Sequence, residues 1–487
     1  MLAFTFGILG WFGMITGDSA SAKSDTVIVK LDSTHSRVMQ VNRVLIIGNN
    51  VTKERIISRE LSLKPGDTIS TDRLLQVLIR DKNKIYNLRL FNTVSLRVLE
   101  LSNDQFDLLI EVVERWYTFP APIFELSDRN INEWWENYHH NFDRVNYGLH
   151  LYQYNFRGRN ETLSLTTQFG FSRRFELNYR IPYIDKKQKQ GLLFGFDYGE
   201  PKNLAYRTLD HKLVYLTTDE TLKRTFGMSV TYNYRKSFYE THSFQLSYRT
   251  SHISSLLVDS TKNYINYYSN NADFQRYLAI SYSFVSEHRD VILYPLKGYQ
   301  YTGYISQIGL GFMGLGLGDH VSQFSINLTQ ARHWPLGNGF YLSNFTSGYF
   351  STPKSQPYSL YNALGYRRQI IRGYEIYVIE GPAFFLNKTT FKKRIFFRSW
   401  QWEDMPLNQF RYIPLAVYVK SYFDFGYVEN YPRYEQLGLN TQLSNRWLGG
   451  AGSGFDIVTV YDLVVRLEYT FTREGTHGLF VNLKKEF

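Results

Sequence analysis

From residue 145 to the end of the chain, apolar and polar residues alternate in short segments separated by Gly, Asn, Asp, Ser and Pro. A period of two is typical of β-strands with one apolar and one polar face, and segments of about ten residues match strands that cross a bilayer at a tilt. The segments are 145–154, 161–170, 173–183, 190–199, 205–217, 223–235, 241–250, 275–286, 298–308, 321–332, 338–349, 390–400, 412–425, 446–457, 461–471 and 477–487. They predict a mainly β fold, a sixteen-stranded antiparallel transmembrane β-barrel over 145–487.

The connections between these segments alternate between long and short, as expected of a barrel whose two ends face different compartments. Those predicted on the outer side are 156–160, 184–189, 251–274, 309–320, 350–389 and 427–445, and those predicted on the inner side are 171–172, 200–204, 236–240, 287–297 and 333–337. An even number of strands places the start and the end of the barrel on the inner side, next to the domain that precedes it.

The stretch 38–115 has a mixed pattern of strand-like and helical segments. A strand-like run from Val41 ends at Gly48-Asn49, and two segments with helical spacing follow, separated by Lys64-Pro65-Gly66-Asp67. The apolar positions are Ile56, Ile57 and Leu61 in the first helix and Leu74, Leu75, Leu78, Ile79, Ile85 and Leu88 in the second. With strand-like runs at 92–101 and 105–114, the order predicts one small α+β domain of the form βααββ.

The N-terminal residues have the pattern of an export signal. Leu2 to Ile15 is an apolar run, and Ala20-Ser21-Ala22 offers small residues at a cleavage position. Residues 1–22 are therefore predicted to be a signal peptide, and residues 23–37 a linker before the small domain.

A second linker is predicted at 116–144, between the small domain and the barrel. Its Trp134 and Trp135 are expected at the interface of the inner membrane leaflet, where indole rings are favoured. The nearby His139 and His140 make a poor metal site, because adjacent side chains diverge and the chain has no Cys to complete a ligand set. We predict neither a metal site nor any other cofactor.

Composition narrows the class of function. Aromatic residues make up 17% of the chain, and beyond the N-terminus no apolar window reaches the length of about 18 residues that a helical span needs. The net charge is +11, but Lys and Arg are scattered over turns and polar strand faces, so no nucleic-acid partner is predicted. No GxSxG elbow is present, and the GxGxxG match at 309–314 lies in a glycine-rich loop without a βαβ unit, so the chain is predicted not to be an enzyme.

Two short motifs form the candidate site. Ile371-Arg372-Gly373-Tyr374-Glu375 lies in the longest predicted outer loop, and Tyr422-Phe423-Asp424-Phe425-Gly426 lies in the thirteenth predicted strand. Alternation turns Tyr422, Asp424 and Gly426 to the lumen and the two Phe rings to lipid. A contact between Arg372 and Asp424 would be a charge-assisted pair that holds the loop inside the barrel, with Gly373 and Gly426 clearing the approach.

The barrel is predicted to close between its first strand, 145–154, and its last, 477–487. Gly148 lies near the start of the first strand. The last strand carries Gly478, Phe480 and Phe487, and a terminal aromatic ring suits the end of a lipid-facing strand. In the fourteenth strand, glycine recurs at Gly450, Gly452 and Gly454, which leaves one face without side chains, suited to a neighbouring loop or to a sharp bend of the barrel.

With these features the chain resembles the BamA/TamA-like superfamily of outer-membrane assembly and two-partner-secretion proteins, which combine POTRA domains with a β-barrel. The domain at 38–115 resembles a single POTRA domain. The two motifs resemble the V/I-R-G-Y/F and F-x-D-x-G motifs of that superfamily, with Tyr422 where Phe is usual. The resemblance implies that the sixth outer loop folds into the lumen and that its Arg372 pairs with Asp424.

The resemblance also implies a place and a function. The barrel would lie in the outer membrane of a Gram-negative bacterium with the POTRA domain in the periplasm, among outer-membrane lipid and lipopolysaccharide. It would assist insertion or export of unfolded outer-membrane or secreted polypeptides, with accessory assembly proteins and without covalent chemistry. Client strands would pair with the POTRA sheet edge at Val94, Leu96 and Val98 and with the opened barrel seam. The alternative is a passive outer-membrane pore or structural barrel, with the POTRA domain as a plug or docking piece.

Overall fold

The computed structural model describes residues 27–28, 37–102, 104–126, 145–185, 187–261, 264–316, 318–366, 369–402, 404–405, 411–459 and 463–483. Among them are a five-stranded sheet in the N-terminal domain, a sixteen-stranded sheet, and two further sheets of two strands each. The predicted signal peptide, Trp134, Trp135, His139, His140 and Phe487 lie outside the described residues.

The N-terminal domain contains β1 (Val27–Ile28), β2 (Val38–Ile47), α1 (Glu54–Ser58), β3 (Thr68–Ser70), α2 (Thr71–Tyr86), β4 (Phe91–Ser102) and β5 (Gln105–Glu114). Its sheet has the order β1-β4-β5-β2-β3. The two helices and the three longer strands follow each other as predicted, and the short strands β1 and β3 are additions that the sequence pattern did not indicate.

Helix α2 packs one face on this sheet. Leu74, Leu78 and Ile85 have no exposed surface and belong to one core with the strands. Full burial of each such side chain contributes about 1.5–3 kcal/mol. Leu75 and Ile79, which the predicted stripe included, are 46% and 45% exposed, because the buried face of the helix is narrower than the apolar pattern.

The rest of the described chain forms β6 (Thr118–Leu126), β7 (Val145–Phe156), β8 (Glu161–Gly170), β9 (Arg173–Ile181), β10 (Gln190–Glu200), β11 (Asn203–Leu209), β12 (Lys212–Thr217), β13 (Lys223–Arg235), β14 (Glu240–Ile253), α3 (Ser255–Thr261), β15 (Phe274–Glu287), β16 (Gly298–Ile308), β17 (Gln323–Gly337), β18 (Phe340–Thr352), β19 (Ala363–Leu364), β20 (Ile379–Glu380), β21 (Ala383–Gln401), β22 (Tyr412–Glu429), α4 (Pro432–Leu437), β23 (Trp447–Val458), β24 (Val464–Thr472) and β25 (His477–Leu483). The sixteen-stranded sheet takes these strands in chain order from β6 to β25, without β11, β12, β19 and β20. Each strand pairs antiparallel with the next, which makes the sheet an up-and-down barrel wall.

The first strand of this sheet is β6, not the predicted 145–154. β6 pairs with β7 from Thr118 opposite Gln153 to Leu126 opposite Val145, so the predicted linker 116–144 begins with a barrel strand. Pro120 and Pro122 obscured it, because proline argues against a strand unless that strand lies at an edge.

The predicted fifth strand, 205–217, is also wrong. It is a hairpin of β11 and β12 that forms a separate two-stranded sheet. The turn residues Asp210 and His211 have φ values of 47° and 59°, the left-handed conformation that a two-residue hairpin turn needs. Neither is a glycine, so the segment read as one continuous run. The count of sixteen was right because one strand was missed and one was added.

These two errors reverse the first four predicted connections. We name the end of the barrel in contact with the N-terminal domain the domain end, and the opposite end the far end. The turn 157–160 lies at the domain end, since the N–H of Lys53 donates to the carbonyl of Gly158 at 2.9 Å. By alternation, the described residues 182–185 and 187–189 also lie at the domain end, while 171–172 and 201–222 lie at the far end. From β13 onward the predicted ends hold.

The N-terminal domain docks on the domain end through side chains as well. The guanidinium of Arg235 donates two hydrogen bonds, of 2.8 and 3.0 Å, to the carboxylate of Glu60, which is almost fully buried. Asn87, just after α2, donates to the carbonyl of Asp290 at 3.2 Å. At Gly158, where φ is 70°, a Cβ atom would lie 2.1 Å from the carbonyl oxygen of Val51, so only glycine allows this close approach.

None of the helices that the structure describes is long and apolar enough to cross a membrane.

Candidate functional site

The far-end connection between β18 and β21 folds into the bore. There the Nε atom of Arg372 donates to Oδ2 of Asp424 on β22 at 2.8 Å, and a second bond joins Nη2 to Oδ1. The backbone N–H of Arg372 donates to the same Oδ2 at 3.1 Å. Asp424 has no exposed surface, whereas the neighbouring Phe423 is 53% exposed on the outer face. The thirteenth strand therefore turns its carboxylate inward and its Phe rings outward.

Three further groups surround the Arg372 guanidinium. Its carbon lies 3.8 Å from the ring centre of Tyr422, and Nη2 donates to the hydroxyl of Thr390 at 3.1 Å. Nη1 lies 3.7 Å from a carboxylate oxygen of Glu468 on β24. These contacts stabilise the buried positive charge of Arg372. Removing one partner of a buried ion pair costs on the order of 3–5 kcal/mol of folding stability.

Glycines make room for this loop. A Cβ atom on Gly450 of β23 would lie 2.0 Å from the carbonyl oxygen of Arg372, and one on Gly426 would lie 2.8 Å from Ile371. Gly373 has a φ of 94° and sits against Thr472, where a Cβ atom would come within 2.6 Å. On the fourteenth strand, Gly450 thus receives the loop backbone, whereas Gly452 lies against the Tyr422 ring and Gly454 against the backbone of β24.

The neighbouring Tyr374 attaches the loop tip to a second part of the wall. Its side chain is 3% exposed, and its hydroxyl donates to the carbonyl of Gly449 at 3.2 Å and to the carboxylate of Glu474. The loop tip is therefore bound to β22, β23 and the turn after β24.

The sequence reasoning missed a second charge cluster next to this pair. Lys420 lies on the same strand as Asp424, four residues before it. Its ammonium is 2.8 Å from a carboxylate oxygen of Glu468 and also pairs with Asp456 on β23. All three side chains are buried. The signal was available, since Lys420 shares the lumenal parity of Asp424 along β22.

A loop from the domain end reaches the same cluster. The connection 288–297 between β15 and β16 carries Tyr294, whose hydroxyl donates to Asp456 at 2.9 Å. The ring of Tyr294 lies 5.0 Å from that of Tyr418, and the Lys392 ammonium lies 4.5 Å from its centre. Loops from both ends of the barrel thus bind one wall, formed by β21 to β24.

A tyrosine-rich cap covers the far end. The cap cluster consists of Tyr206, Ile253, Leu257, Ile265, Tyr267, Tyr268, Tyr358, Tyr431 and Tyr434. Beside it lies Glu380, 3% exposed, which accepts a hydrogen bond from the Tyr434 hydroxyl and pairs with no Lys or Arg among the described residues. Burial raises the pKa of Glu380 to about 7 from 4.5. In the hairpin turn, burial lowers the pKa of His211 to about 4, and its Nε2 accepts the N–H of Leu443 at 3.0 Å.

The seam of the barrel lies between β6 and β25, the two edge strands of the large sheet, and no ladder joins them in the part of the chain that the structure describes. Gly148 is in the second strand, away from the seam. Gly478 and Phe480 are in the last strand, opposite Thr470 and Glu468 of β24.

The two seam edges are chemically unequal. On β6, the N–H of Tyr154 donates to the carbonyl of Tyr117 at 2.7 Å, so every second residue from Tyr117 faces β7. Pro120 and Pro122 therefore face the free edge, where they offer no N–H. Just before β25, the N–H of Thr472 on β24 donates to the carbonyl of Thr476 at 2.8 Å, so every second residue from Thr476 faces β24 and the residues between them face the free edge. The residues of β25 that direct both N–H and C=O to the free edge are His477, Leu479, Val481 and Leu483.

The side chains predicted to line the POTRA sheet edge are buried instead. Val94, Leu96 and Val98 are 0%, 0% and 7% exposed, because they face the helices. Their strand β4 is the edge of the three longer strands, but β1 pairs with it in parallel at Leu96 and Arg97. Further along β4, the outward side chains are Leu99 and Leu101, which are 42% and 53% exposed.

Among the described residues, no group of three His, Cys, Asp or Glu side chains is arranged to hold a metal ion. The glycine-rich segment 309–314 is a far-end connection with a single 3-10 turn, Gly311–Met313.

Comparisons with known proteins agree with this architecture. Residues 39–115 match the POTRA family model, described as surface antigen variable number repeat, and residues 155–459 match the Omp85 superfamily domain. The fold is similar to that of BamA from Haemophilus ducreyi lacking POTRA domains 1-3, with a TM-score of 0.50, 14% identity, and 91% of this chain and 83% of that chain covered. It is also similar to CdiB from Escherichia coli, with a TM-score of 0.51, 9% identity, and coverage of 91% and 74%.

No curated protein matches the sequence significantly. The Omp85 match alone spans more than half of the chain, and the sixteen-stranded sheet and the N-terminal domain have the architecture of that superfamily. The chain therefore belongs to the Omp85 superfamily, as an outer-membrane β-barrel with one POTRA domain.

Proposed function

We propose that this protein inserts or exports other polypeptides at the outer membrane, with its POTRA domain in the periplasm and without covalent chemistry. The observation that carries the proposal is the unequal pair of seam edges. β25 directs complete N–H and C=O groups to its free edge, whereas β6 lacks the N–H of Pro120 and Pro122. Unsatisfied backbone groups are costly in hydrocarbon, so β25 needs a partner with a full set of donors.

A client strand is a better partner for β25 than β6 is. When the barrel closes on itself, the β25 carbonyls opposite Pro120 and Pro122 receive no donor. Each buried acceptor left unpaired costs roughly 1–3 kcal/mol, and a client strand without proline removes that cost. Its apolar side chains would meet lipid beside Leu479 and Val481, which are 68% and 63% exposed. Client pairing at the seam therefore uses the last strand.

The POTRA sheet offers an earlier contact for the same client. Among the described residues, β1 pairs with β4 at Leu96 and Arg97, and the exposed Leu99 and Leu101 lie further along β4. An extended polypeptide can add to this edge by main-chain hydrogen bonds, with its side chains on the two leucines. Accessory assembly proteins, outer-membrane lipid and lipopolysaccharide are further partners that membership of the superfamily suggests.

The passive pore is the weaker alternative. Loops enter the bore from both ends, and Arg372 and Tyr294 attach them to buried carboxylates on one wall. Loops attached inside the bore leave less room for a path of small solutes.

Depletion of the protein tests the function. We expect the levels of other outer-membrane proteins, or the secretion of exported polypeptides, to fall as the protein is lost. A photo-crosslinking amino acid at Leu479 or Val481 should capture newly made polypeptides, and the same group at Phe423, on the outer face of the wall, serves as the matched control. Normal outer-membrane protein levels and normal secretion after depletion contradict the proposal.

A further inference from the structure

A large cavity lies at the domain end of the barrel, between helix α2 and the lumenal side of the wall. Its volume is about 1580 Å³, and nine Lys and Arg side chains line it against three carboxylates. We call this cavity the vestibule. The POTRA domain and the barrel both contribute cations to it, so it exists only because the two are docked.

The three carboxylates of the vestibule are already bound. Glu60 accepts two bonds from Arg235, and Glu287 accepts bonds of 2.7 and 2.6 Å from Arg289. Asp290 accepts the backbone N–H of its neighbour Val291 at 2.8 Å. Glu60 and Glu287 thus each already bind a cation, and Asp290 alone cannot neutralise the other cations of the vestibule.

Several cations of the vestibule have no carboxylate partner among the described residues. Arg180 on β9 donates to the carbonyl of Asn160 and to the hydroxyl of Thr162, each at 3.2 Å, and both acceptors are neutral. Arg80 on α2 donates to the hydroxyl of a serine. Lys189 and Lys297, on two turns of the domain end, form no ion pair within the described part of the chain. The vestibule therefore holds an excess of positive charge spread over its whole length.

Aromatic rings lie between these charges. Tyr152 and Tyr154 stack with their ring centres 6.2 Å apart, and Phe119 meets Tyr154 edge-on at 5.8 Å. Like Arg180, these side chains line the vestibule, and Tyr152 lies opposite Ser164, on the face of β8 that also carries Thr162, the partner of Arg180. The lining thus combines apolar rings with separated cations and faces the bore, not the lipid.

We propose that the vestibule receives an acidic, extended segment of the polypeptide that the barrel handles. The inference rests on the proposed function and adds the charge of the client. Cations on α2, β9 and two turns suit carboxylates spaced along a chain, whereas a lipid phosphate needs its donors gathered at one point and reachable from the bilayer. The rings accommodate the apolar residues between the carboxylates.

Peptide binding to the purified full-length protein tests the inference. Two fluorescent peptides of equal length carry the same apolar residues, one with Glu and Asp at its polar positions and one with Gln and Asn. By fluorescence anisotropy we expect the acidic peptide to bind at least about tenfold more tightly, and its affinity to fall as salt is added.

The double variant Arg180→Gln with Lys189→Gln should weaken binding of the acidic peptide by about tenfold, the loss expected when charge-assisted hydrogen bonds are removed. The matched control is Lys212→Gln with Arg433→Gln at the far end, which should leave binding unchanged. The shift of the folded barrel on a gel before and after heating verifies that each variant folds.

Two results overturn the inference. One is equal binding of the acidic and the neutral peptide, or no loss in the double variant of the vestibule. The other is competition by lipid: if nanodiscs of phosphatidylglycerol abolish peptide binding that nanodiscs of phosphatidylcholine permit, the site takes an anionic headgroup instead. Either result, together with a fall in outer-membrane proteins on depletion, leaves the proposed function standing, so the two failures are distinguishable.

Discussion

The hydroxyl of Tyr294 donates to Asp456 at 2.9 Å, and this contact ties a loop of the domain end to the carboxylate that also binds Lys420. Lys420 also pairs with Glu468, which lies 3.7 Å from the Arg372 guanidinium of the far-end loop. Two loops that enter from opposite ends are thus connected through three charged side chains on the wall.

Replacing Tyr294 with Phe should lower the stability of the folded barrel by about 1 kcal/mol, since one buried hydrogen bond to a carboxylate is lost. The midpoint of thermal unfolding measures the effect. Tyr147→Phe, on the outer face of β7, is the control and should leave the midpoint unchanged. Equal midpoints for Tyr294→Phe and the unsubstituted protein would show that the contact adds no stability.

Arg372→Ala should release the far-end loop, because it leaves the buried Asp424 without its cation at a cost on the order of 3–5 kcal/mol. We expect faster proteolysis within 353–382 and loss of function in cells. Arg249→Ala is the matched control, since its pair with Asp197 is half-exposed and contributes about 0–1 kcal/mol. A protease-resistant loop in Arg372→Ala would refute the anchoring role.

Gly450→Ala should displace the same loop by a different mechanism. The added Cβ atom would lie 2.0 Å from the carbonyl oxygen of Arg372, and overpacking of this kind costs about 1–3 kcal/mol. Gly348→Ala on β18 is the control, because no atom lies within 4 Å of its added Cβ atom. Proteolysis of the loop should rise in the first variant alone, and an equal response of both would argue against the close approach.

The double variant Pro120→Ala with Pro122→Ala should tighten the seam. It restores two N–H donors to the free edge of β6, each worth about 1 kcal/mol when β25 pairs with it. Crosslinks from Leu479 to newly made polypeptides should fall, and the heat resistance of the barrel should rise. Pro414→Ala, inside the wall on β22, is the control. Unchanged crosslinking would mean that the prolines do not favour client pairing.

Stability of the cap should depend on pH through Glu380. Its pKa of about 7 in the folded protein lies above the ordinary 4.5, so between these values the unfolded chain releases a proton that the folded chain keeps. The contribution of Glu380 to stability therefore falls as the pH rises through this window, by about 3 kcal/mol in total. His211 acts in the opposite direction, because its pKa of about 4 lies below the ordinary 6.5 and its contribution rises between these values. Proteolysis of the far-end loops at pH 5 and at pH 8, in the unsubstituted protein and in Glu380→Gln, separates the two contributions.

Glu380→Gln should remove the Glu380 contribution, because the amide does not titrate, so its far-end loops should be more resistant to proteolysis at pH 8 relative to pH 5 than those of the unsubstituted protein. Glu220→Gln, an exposed residue of another far-end connection, should retain it. A pH response in Glu380→Gln equal to that of the unsubstituted protein would assign the titration to another group.

Periodicity and motifs predicted the POTRA domain, the number of barrel strands and the lumenal face of Asp424. They failed where the residue types of a segment pointed to one secondary structure and its position in the folded protein required another. Pro120 and Pro122 hid a strand that tolerates them only because it is an edge, and Asp210-His211 formed a hairpin turn without glycine. The inward fold of 288–297 has no periodicity at all, since it is fixed by contacts with distant strands.

The pair between Glu60 and Arg235 sets how the POTRA domain behaves when conditions change. Glu60 is 1% exposed, so added salt, which weakens exposed pairs, has little access to it. We therefore expect this contact to keep the POTRA domain docked on the barrel as salt is added. Under the proposed function, a client would meet the domain in this docked position.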